Sequence, residues 1–207
     1  VSGIQNIFYE LNRYLIEKEH IKTRRLYIDG TKIESAANKY SFVWRGTILK
    51  SRDKLHLKIT KQLNKLNERY LASDLCFSIY EAYDTEYLLK VQSFLADEIS
   101  RDNISFVSGK GRHKTALQRD YEKVSEYIIK LNTHEKHLEV MGNDRNSYAK
   151  TDTCATFMHM KEDHMRNSQL KPGYNVQIGV SDEYILHMDI SSERNDYKTL
   201  IPFLEGY

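Results

Sequence analysis

The stretch YIDGTKIE at Tyr27–Glu34, followed by NKYSF at Asn38–Phe42, decides the fold of this chain. It is β-prone, and it places a carboxylate, a glycine and a hydroxyl in succession at Asp29, Gly30 and Thr31. A lone carboxylate between apolar neighbours is costly to bury, so Asp29 indicates a cation or a network of hydrogen-bond donors. The alternative interpretation is an Asp-Gly turn between two strands, and this stretch alone does not decide between the two.

Composition limits the class of protein. The chain has 207 residues, 40% of them hydrophobic, which suffices for one good-sized core or for one domain with a large insertion. Its net charge is only +2, so a basic surface for nucleic acid would have to be local. No apolar run is long enough to cross a bilayer, and no leader segment is recognisable. Cys76 and Cys154 lack paired spacing, so we expect a cytoplasmic protein without membrane association.

The first part of the chain reads as a helix that leads into the strand. Apolar residues recur over 4–19 at spacings of three and four, which predicts an amphipathic helix. Its predicted apolar face consists of Ile4, Ile7, Phe8, Leu11, Tyr14 and Leu15. A basic connector then reaches a strand over Leu26–Glu34. We assign 1–24 to the helix with its connector and 25–48 to the first part of a sheet-containing core.

The segment 49–145 has a different pattern. Three apolar stripes with helical spacing run over Leu55–Tyr70, Tyr87–Ile99 and Leu117–Leu138, and the last is nearly heptad. No proline interrupts them, and charged residues occupy the opposite faces. The pattern predicts three helices, partly resembling a coiled coil, inserted into the core.

A basic loop, SGKGRHKT at Ser108–Thr115, separates the second and third predicted helices. It lacks the spacing of a P-loop and does not follow a strand, so it does not predict a nucleotide site. Its cations Lys110, Arg112 and Lys114 instead predict non-specific contacts with phosphate.

The segment 146–207 returns to strand periodicity. Apolar and polar residues alternate over Tyr174–Val180 and again over Tyr184–Ile190, with Ser181–Glu183 between them, which predicts a β-hairpin. A short helix over Tyr197–Leu204, capped by Asn195 and Asp196, is expected to follow. The strands at both ends must then meet across the helical insertion. The predicted elements together indicate the α/β fold class, with mixed α+β character.

Several separated blocks of the sequence stand out: DGTKIE with NKY over Asp29–Tyr40, KTD at 150–152, ATFM at 155–158, LKPGYNVQIG at 170–179 and TLIPFLE at 199–205. These blocks closely resemble bacterial insertion-sequence transposases of the DDE type. The resemblance runs from about residue 20 to the last residue, and the order of the blocks makes it specific.

The resemblance implies a partial ribonuclease-H-like core that is interrupted by the helical insertion. In such enzymes three carboxylates hold two Mg²⁺ (or Mn²⁺) ions for phosphodiester displacement on DNA. The first carboxylate of the family corresponds to Asp29. The DNA of the insertion-sequence ends is the implied partner, and homo-oligomerisation is left open. The predicted DNA contacts are the loop cations together with Lys150, Lys161 and Lys171.

The chain also departs from the family pattern. Neither the second Asp motif nor the later Glu motif occurs, and Cys154 stands where relatives commonly have Asp. Asp189, on the second hairpin strand, and Asp196, a predicted helix cap, are poor substitutes. The lack of an initiator Met indicates a piece cut from something longer, and the chain stops at Tyr207, just after the short helix. We therefore expect a fragment truncated before the second catalytic Asp and inactive as this chain. There are two alternatives. The chain is either a non-catalytic remnant of a transposase that binds DNA or oligomerises, or the product of a decayed reading frame without function.

Overall fold

The computed structural model describes residues 2–19, 21, 23–38, 40–71, 76–109, 111–161 and 169–207. Within them the chain forms five helices and six strands, a mixed class of helix and sheet as expected. In chain order they are α1 (Ser2–Glu19), β1 (Tyr27–Glu34), β2 (Phe42–Trp44), α2 (Arg45–Tyr70), α3 (Thr85–Arg101), α4 (Ala116–Met141), β3 (Ser147–Ala149), β4 (Thr156–His159), β5 (Leu170–Ser181), β6 (Tyr184–Ser191) and α5 (Asp196–Gly206).

The chain divides into two compact units. The sheet unit comprises Val1–Trp44 and Met141–Tyr207, and the helical unit comprises Arg45–Val140. The helical unit therefore interrupts the sheet unit between β2 and β3. Among the described helices, none has the length together with the apolarity that crossing a bilayer requires.

The helical unit contains the three predicted helices, and their apolar stripes form its core. The buried members are Leu55, Ile59, Leu63, Leu66, Tyr83, Leu88, Val91, Leu95, Ile99, Leu117, Val124, Tyr127, Ile128 and Leu131. Thr85 at the start of α3 donates to Asn132 near the end of α4, 2.9 Å away. Gln92 of α3 bonds Ser125 of α4 at 2.6 Å, so these two helices run antiparallel.

A buried carboxylate links α2 to α4. Asp120, near the start of α4, is 2% exposed and accepts hydrogen bonds from Gln62 and Lys65 at 2.8 Å and from Arg69. Burial raises the pKa of Asp120, but the bonds from these donors outweigh burial, and the net pKa lies below its ordinary value. The start of α4 therefore lies beside the end of α2, and these two helices are also antiparallel.

The main sheet of the sheet unit is antiparallel and is built around β5. β1 pairs along one edge of β5, from Tyr27 opposite Val180 to Glu34 opposite Gly173. β4 and β6 share the other edge, β4 beside the first residues of β5 and β6 beside the rest. β2 and β3 form a separate two-stranded sheet. The predicted pairing of sequence-distant strands across the insertion is therefore present.

The predicted hairpin is confirmed as β5 and β6. Its loop is Asp182-Glu183, whose φ angles of 47° and 71° are both positive. Two consecutive positive φ angles are the signature of a type I′ turn, whose twist suits the right-handed twist of paired strands.

The helices of the sheet unit do not cover the apolar face of the hairpin. On this face, which carries Asp29, Val176 is buried, but Met188 and Ile190 are 42% and 58% exposed. The opposite face carries Asn175 and Gln177, which are almost completely buried. The helices α1 and α5 pack against β6, and α5 also packs against β5, which places them on this more polar side. Alternation identified the two faces correctly, but it could not show which one the helices cover.

The predicted apolar face of α1 is largely wrong, although the helix itself is confirmed. Ile4, Ile7, Leu11 and Tyr14 are all more than half exposed. The helix is attached instead through Asn12, which is buried and donates to the Leu186 carbonyl at 2.9 Å.

The last helix begins differently from the prediction. Asn195 is the N-cap, but its side chain makes no capping bond. The carboxylate of Asp196 accepts a hydrogen bond from Asn175 at 2.8 Å and so fastens α5 to β5 rather than capping the helix.

Candidate active site

Asp29 lies in the middle of β1, opposite Ile178 of β5, so the interpretation of Asp29-Gly30 as a turn is wrong. The premise that the carboxylate is buried is wrong as well, because its side chain is 94% exposed. The physical reason is that Asp29 points to the face of the sheet opposite α1 and α5. Solvation therefore makes this carboxylate tolerable in the strand.

One ammonium group lies against Asp29. Lys161, just after β4, places Nζ 3.4 Å from Asp29 Oδ1 and donates a hydrogen bond to the Gly30 carbonyl. The Gly30 N–H also donates to Asp29 Oδ1 at 2.8 Å. A carboxylate oxygen and a carbonyl oxygen thus converge on one cation.

The path of the chain after β4 explains how Lys161 reaches β1. A Cβ at Gly173 would lie 2.6 Å from the Ile33 carbonyl oxygen and 2.6 Å from the terminal carbon of Met160. Met160 therefore crosses closely over β5 at this glycine, towards β1. The absence of a side chain at Gly173 is what allows the crossing.

A second lysine lies at the same edge of the sheet. Lys171 bonds the Glu34 carboxylate at 2.7 Å. A cavity of about 500 Å³ contains both lysines and the Asp29 carboxylate; its lining is Asp29, Gly30, Thr31, Lys32, Glu34, Met160, Lys161 and Lys171. The structure thus brings together three of the residues predicted from the sequence to form a site.

The other predicted DNA contacts do not line this cavity. Lys150 is exposed in the turn after β3, and its backbone N–H donates to Ser41 at 2.7 Å. Arg112 is exposed in the helical unit, where Lys114 pairs with Glu122 at 2.6 Å. Lys110 lies outside the described residues.

A buried polar chain behind β1 was not predicted. The Gln177 amide lies against Gly30, where a Cβ would come within 2.8 Å of the amide carbon. Gln177 donates to Asn175 at 3.0 Å, and Asn175 in turn donates to Asp196. These hydrogen-bonded side chains support the backbone that carries Asp29. The sequence signal is the polar half of the β5 alternation, which by itself does not indicate whether that face is buried.

Asp152 is a second polar centre that sequence reasoning noted only as part of a block. It accepts hydrogen bonds of 2.6 Å from Ser35 Oγ and from the Tyr174 hydroxyl, and one of 3.2 Å from the Cys154 N–H. The bonds from Ser35 and Tyr174 lower the pKa of Asp152. Burial, followed by the bond to Asp152, raises the pKa of Tyr174 to about 12. Asp152 thereby fastens the segment after β1 to β5.

The oxygen atoms around Asp29 that could bind a metal suit one divalent ion better than two. Mg²⁺ is commonly held by one or two carboxylates together with water and substrate phosphate, and the Asp29 carboxylate with the Gly30 carbonyl supplies two hard oxygens. Among the residues that the structure describes, no group of three or more His, Cys, Asp or Glu side chains is arranged to hold a metal. Asp189 is on β6 opposite Gln177, and Asp196 bonds Asn175.

No protein-family model, curated protein sequence or solved structure matches the chain.

Proposed function

We propose that the chain is part of a bacterial insertion-sequence transposase of the DDE type, acting in the cytoplasm on the DNA ends of its element. In this proposal the sheet unit is part of a ribonuclease-H-like core, and Asp29 is the first metal-binding carboxylate. The observation that carries the proposal is the exposed Asp29 carboxylate on β1, with Lys161 and Lys171 in the same cavity.

The order of elements supports this proposal. The resemblance requires a strand with the Asp, a helical insertion, a hairpin and a short helix, which correspond to β1, the helical unit, β5–β6 and α5. It also requires the first strand to meet the hairpin, and β1 pairs with β5 over its whole length.

The side chains in the cavity suit a phosphodiester substrate. The Asp29 carboxylate and the Gly30 carbonyl offer oxygen ligands to Mg²⁺ or Mn²⁺, and the lysines offer positive charge to DNA phosphates. When bound, the divalent ion would activate water or a DNA 3′-hydroxyl and stabilise the leaving oxygen. Asp29 and Lys161 would set where that ion and the phosphate lie.

Metal-directed cleavage of the polypeptide tests the role of Asp29. Fe²⁺ bound in place of Mg²⁺, with ascorbate and peroxide, generates radicals that cut the backbone beside its site. We expect a cut close to residue 29 in the original chain and its loss in Asp29→Asn. Glu34→Gln is the matched control, because it removes a carboxylate of the same cavity that is paired with Lys171. No cut near β1, or an undiminished cut in Asp29→Asn, would refute the proposal.

A non-catalytic DNA-binding or oligomerising role is the second candidate. It is favoured by the lining of the cavity, in which three lysines, Lys32, Lys161 and Lys171, outnumber the carboxylates of Asp29 and Glu34; this is chemistry for phosphate contact without a complete metal centre. This role requires binding to duplex DNA with a steep salt dependence and no effect of divalent ions beyond ionic strength. Binding that strengthens with Mn²⁺ in an Asp29-dependent manner would favour the first candidate.

A further inference from the structure

We propose that Lys161 is an internal counter-cation of Asp29, and that its ammonium group and a divalent metal ion are alternative occupants of the same pair of oxygens. Metal binding would then release Lys161 from β1. The inference rests on the proposed function in one respect, namely that Asp29 binds a metal.

The geometry makes the two occupants mutually exclusive. Lys161 Nζ is 3.4 Å from Asp29 Oδ1 and is bonded to the Gly30 carbonyl oxygen. A Mg²⁺ ion in contact with the same oxygens would lie about 2.1 Å from each of them. The ion and the ammonium would then be within a few ångströms of each other, where their positive charges repel strongly.

Lys161 is better suited to be displaced than Lys171, the other lysine of the cavity that pairs with a carboxylate there. Lys171 makes a short bond of 2.7 Å with Glu34, and its side chain is 30% exposed. Lys161 is 46% exposed, and its distance of 3.4 Å to a carboxylate that is itself 94% exposed describes a looser ion pair. Exposed pairs of this kind contribute little to stability, so a divalent ion can replace the ammonium at low cost.

Displacement would also change what Lys161 does. In the metal-free protein its ammonium neutralises Asp29, whereas after metal binding it becomes available to a phosphate oxygen beside the ion. Lys161 is thus a positioning residue. It couples metal binding at Asp29 to the availability of a lysine ammonium for phosphate in the cavity.

Mn²⁺ titration of the full chain, followed by the electron paramagnetic resonance signal of free Mn²⁺, measures the competition. We expect Lys161→Gln to lower the Kd for Mn²⁺ about fivefold, given the Coulomb energy of an exposed pair. Lys171→Gln removes the same charge from the same cavity without touching Asp29, so its effect should be smaller. The inference is overturned if Lys161→Gln binds Mn²⁺ no more tightly than Lys171→Gln.

Lysine acetylation read by mass spectrometry provides a structural readout. Mg²⁺ should increase the labelling of Lys161 and leave that of Lys171 unchanged, and Asp29→Asn should make the labelling of Lys161 high and independent of Mg²⁺. Asp29-dependent Mn²⁺ binding without these Lys161 effects would refute the inference alone. Absence of Asp29-dependent Mn²⁺ binding in all variants would refute the proposed function too.

Discussion

The exposure of Asp29 determines whether its carboxylate requires a bound cation in the folded protein. Its side chain is almost fully exposed, so it keeps its hydration and does not depend on a metal for tolerance within β1. The sheet unit is therefore expected to fold without divalent ions. Any selectivity for a cation has to come from the paired oxygens of Asp29 and Gly30 and from competition with Lys161.

Asp152 leads to a prediction about pH at the same scale. Its folded-state pKa is lowered, so its contribution to stability is present above the unfolded pKa near 4 and is lost as pH falls through the folded value. We expect Asp152→Asn to reduce the free energy of unfolding by about 1 to 2 kcal/mol at pH 7. In urea unfolding, the difference in the free energy of unfolding between Asp152→Asn and the original chain should be smaller at pH 3 than at pH 7.

Asp144→Asn is the control for this prediction. Asp144 is exposed in the turn before β3, so its substitution should change the free energy of unfolding by less than about 0.5 kcal/mol at either pH. An Asp152→Asn effect that is equally large at pH 7 and pH 3 would mean that the ionised carboxylate is not the stabilising species.

At the scale of elements, local patterns were sufficient to predict the five described helices and three of the six described strands, β1, β5 and β6, whereas the short strands β2, β3 and β4 were not predicted. The stripes of α2, α3 and α4 and the alternation of the hairpin are visible within short windows of sequence, because each depends on one periodic face. The covered face of the sheet was not predictable in this way. Asn175 and Gln177 are buried on the side where α5 packs against β5 and α1 against β6, and no local pattern reports this packing.

The candidate site was predictable in part. Asp29 was identified from the Asp-Gly-Thr block, and Lys161 and Lys171 were named with the later blocks, but periodicity alone would not have brought them together. The bond from Ser35 to Asp152 joins residues more than a hundred positions apart, and nothing in either local sequence indicates the partner. Long-range polar contacts of this kind require the register of β1 and β5.

The link between α2 and α4 gives a prediction for the helical unit. Asp120→Ala removes the buried carboxylate that Lys65 and Arg69 share, so the free energy of unfolding should fall by about 2 kcal/mol. Glu126→Ala on the same helix removes exposed pairs with Lys123 and Lys130 and should cost less than about 0.5 kcal/mol. Guanidinium unfolding followed by circular dichroism measures both, and equal effects would contradict a special role for the buried pair.

At the scale of the whole molecule, the helical unit is an insertion with its own core. All of its clustered core residues lie between Leu55 and Leu131. The antiparallel arrangement of α2 and α4 brings its first and last residues to the same end of the unit. Within the sheet unit, β2 and β3 pair with each other, with Trp44 opposite Ser147. Each unit therefore has the contacts that independent folding requires.

Excision of the helical unit tests this independence. We expect a chain in which a short Gly-Ser linker replaces Arg45–Val140 to keep a folded sheet with cooperative thermal unfolding, because the sheet unit retains all of its strands. The separate segment Arg45–Val140 should be helical by circular dichroism. Loss of amide dispersion in nuclear magnetic resonance spectra of the linked sheet unit would show that it needs the insertion to fold.

The pairing of β1 with β5 across the helical unit also has a kinetic consequence. The two strands are separated by most of the chain, and bringing the ends of so long an unfolded loop together is slow and entropically unfavourable. If the helical unit folds first, its joined ends turn that loop into a much shorter one. The helical unit would then set the rate at which the sheet assembles, and a substitution such as Asp120→Ala would delay formation of the strand that carries Asp29 without touching it.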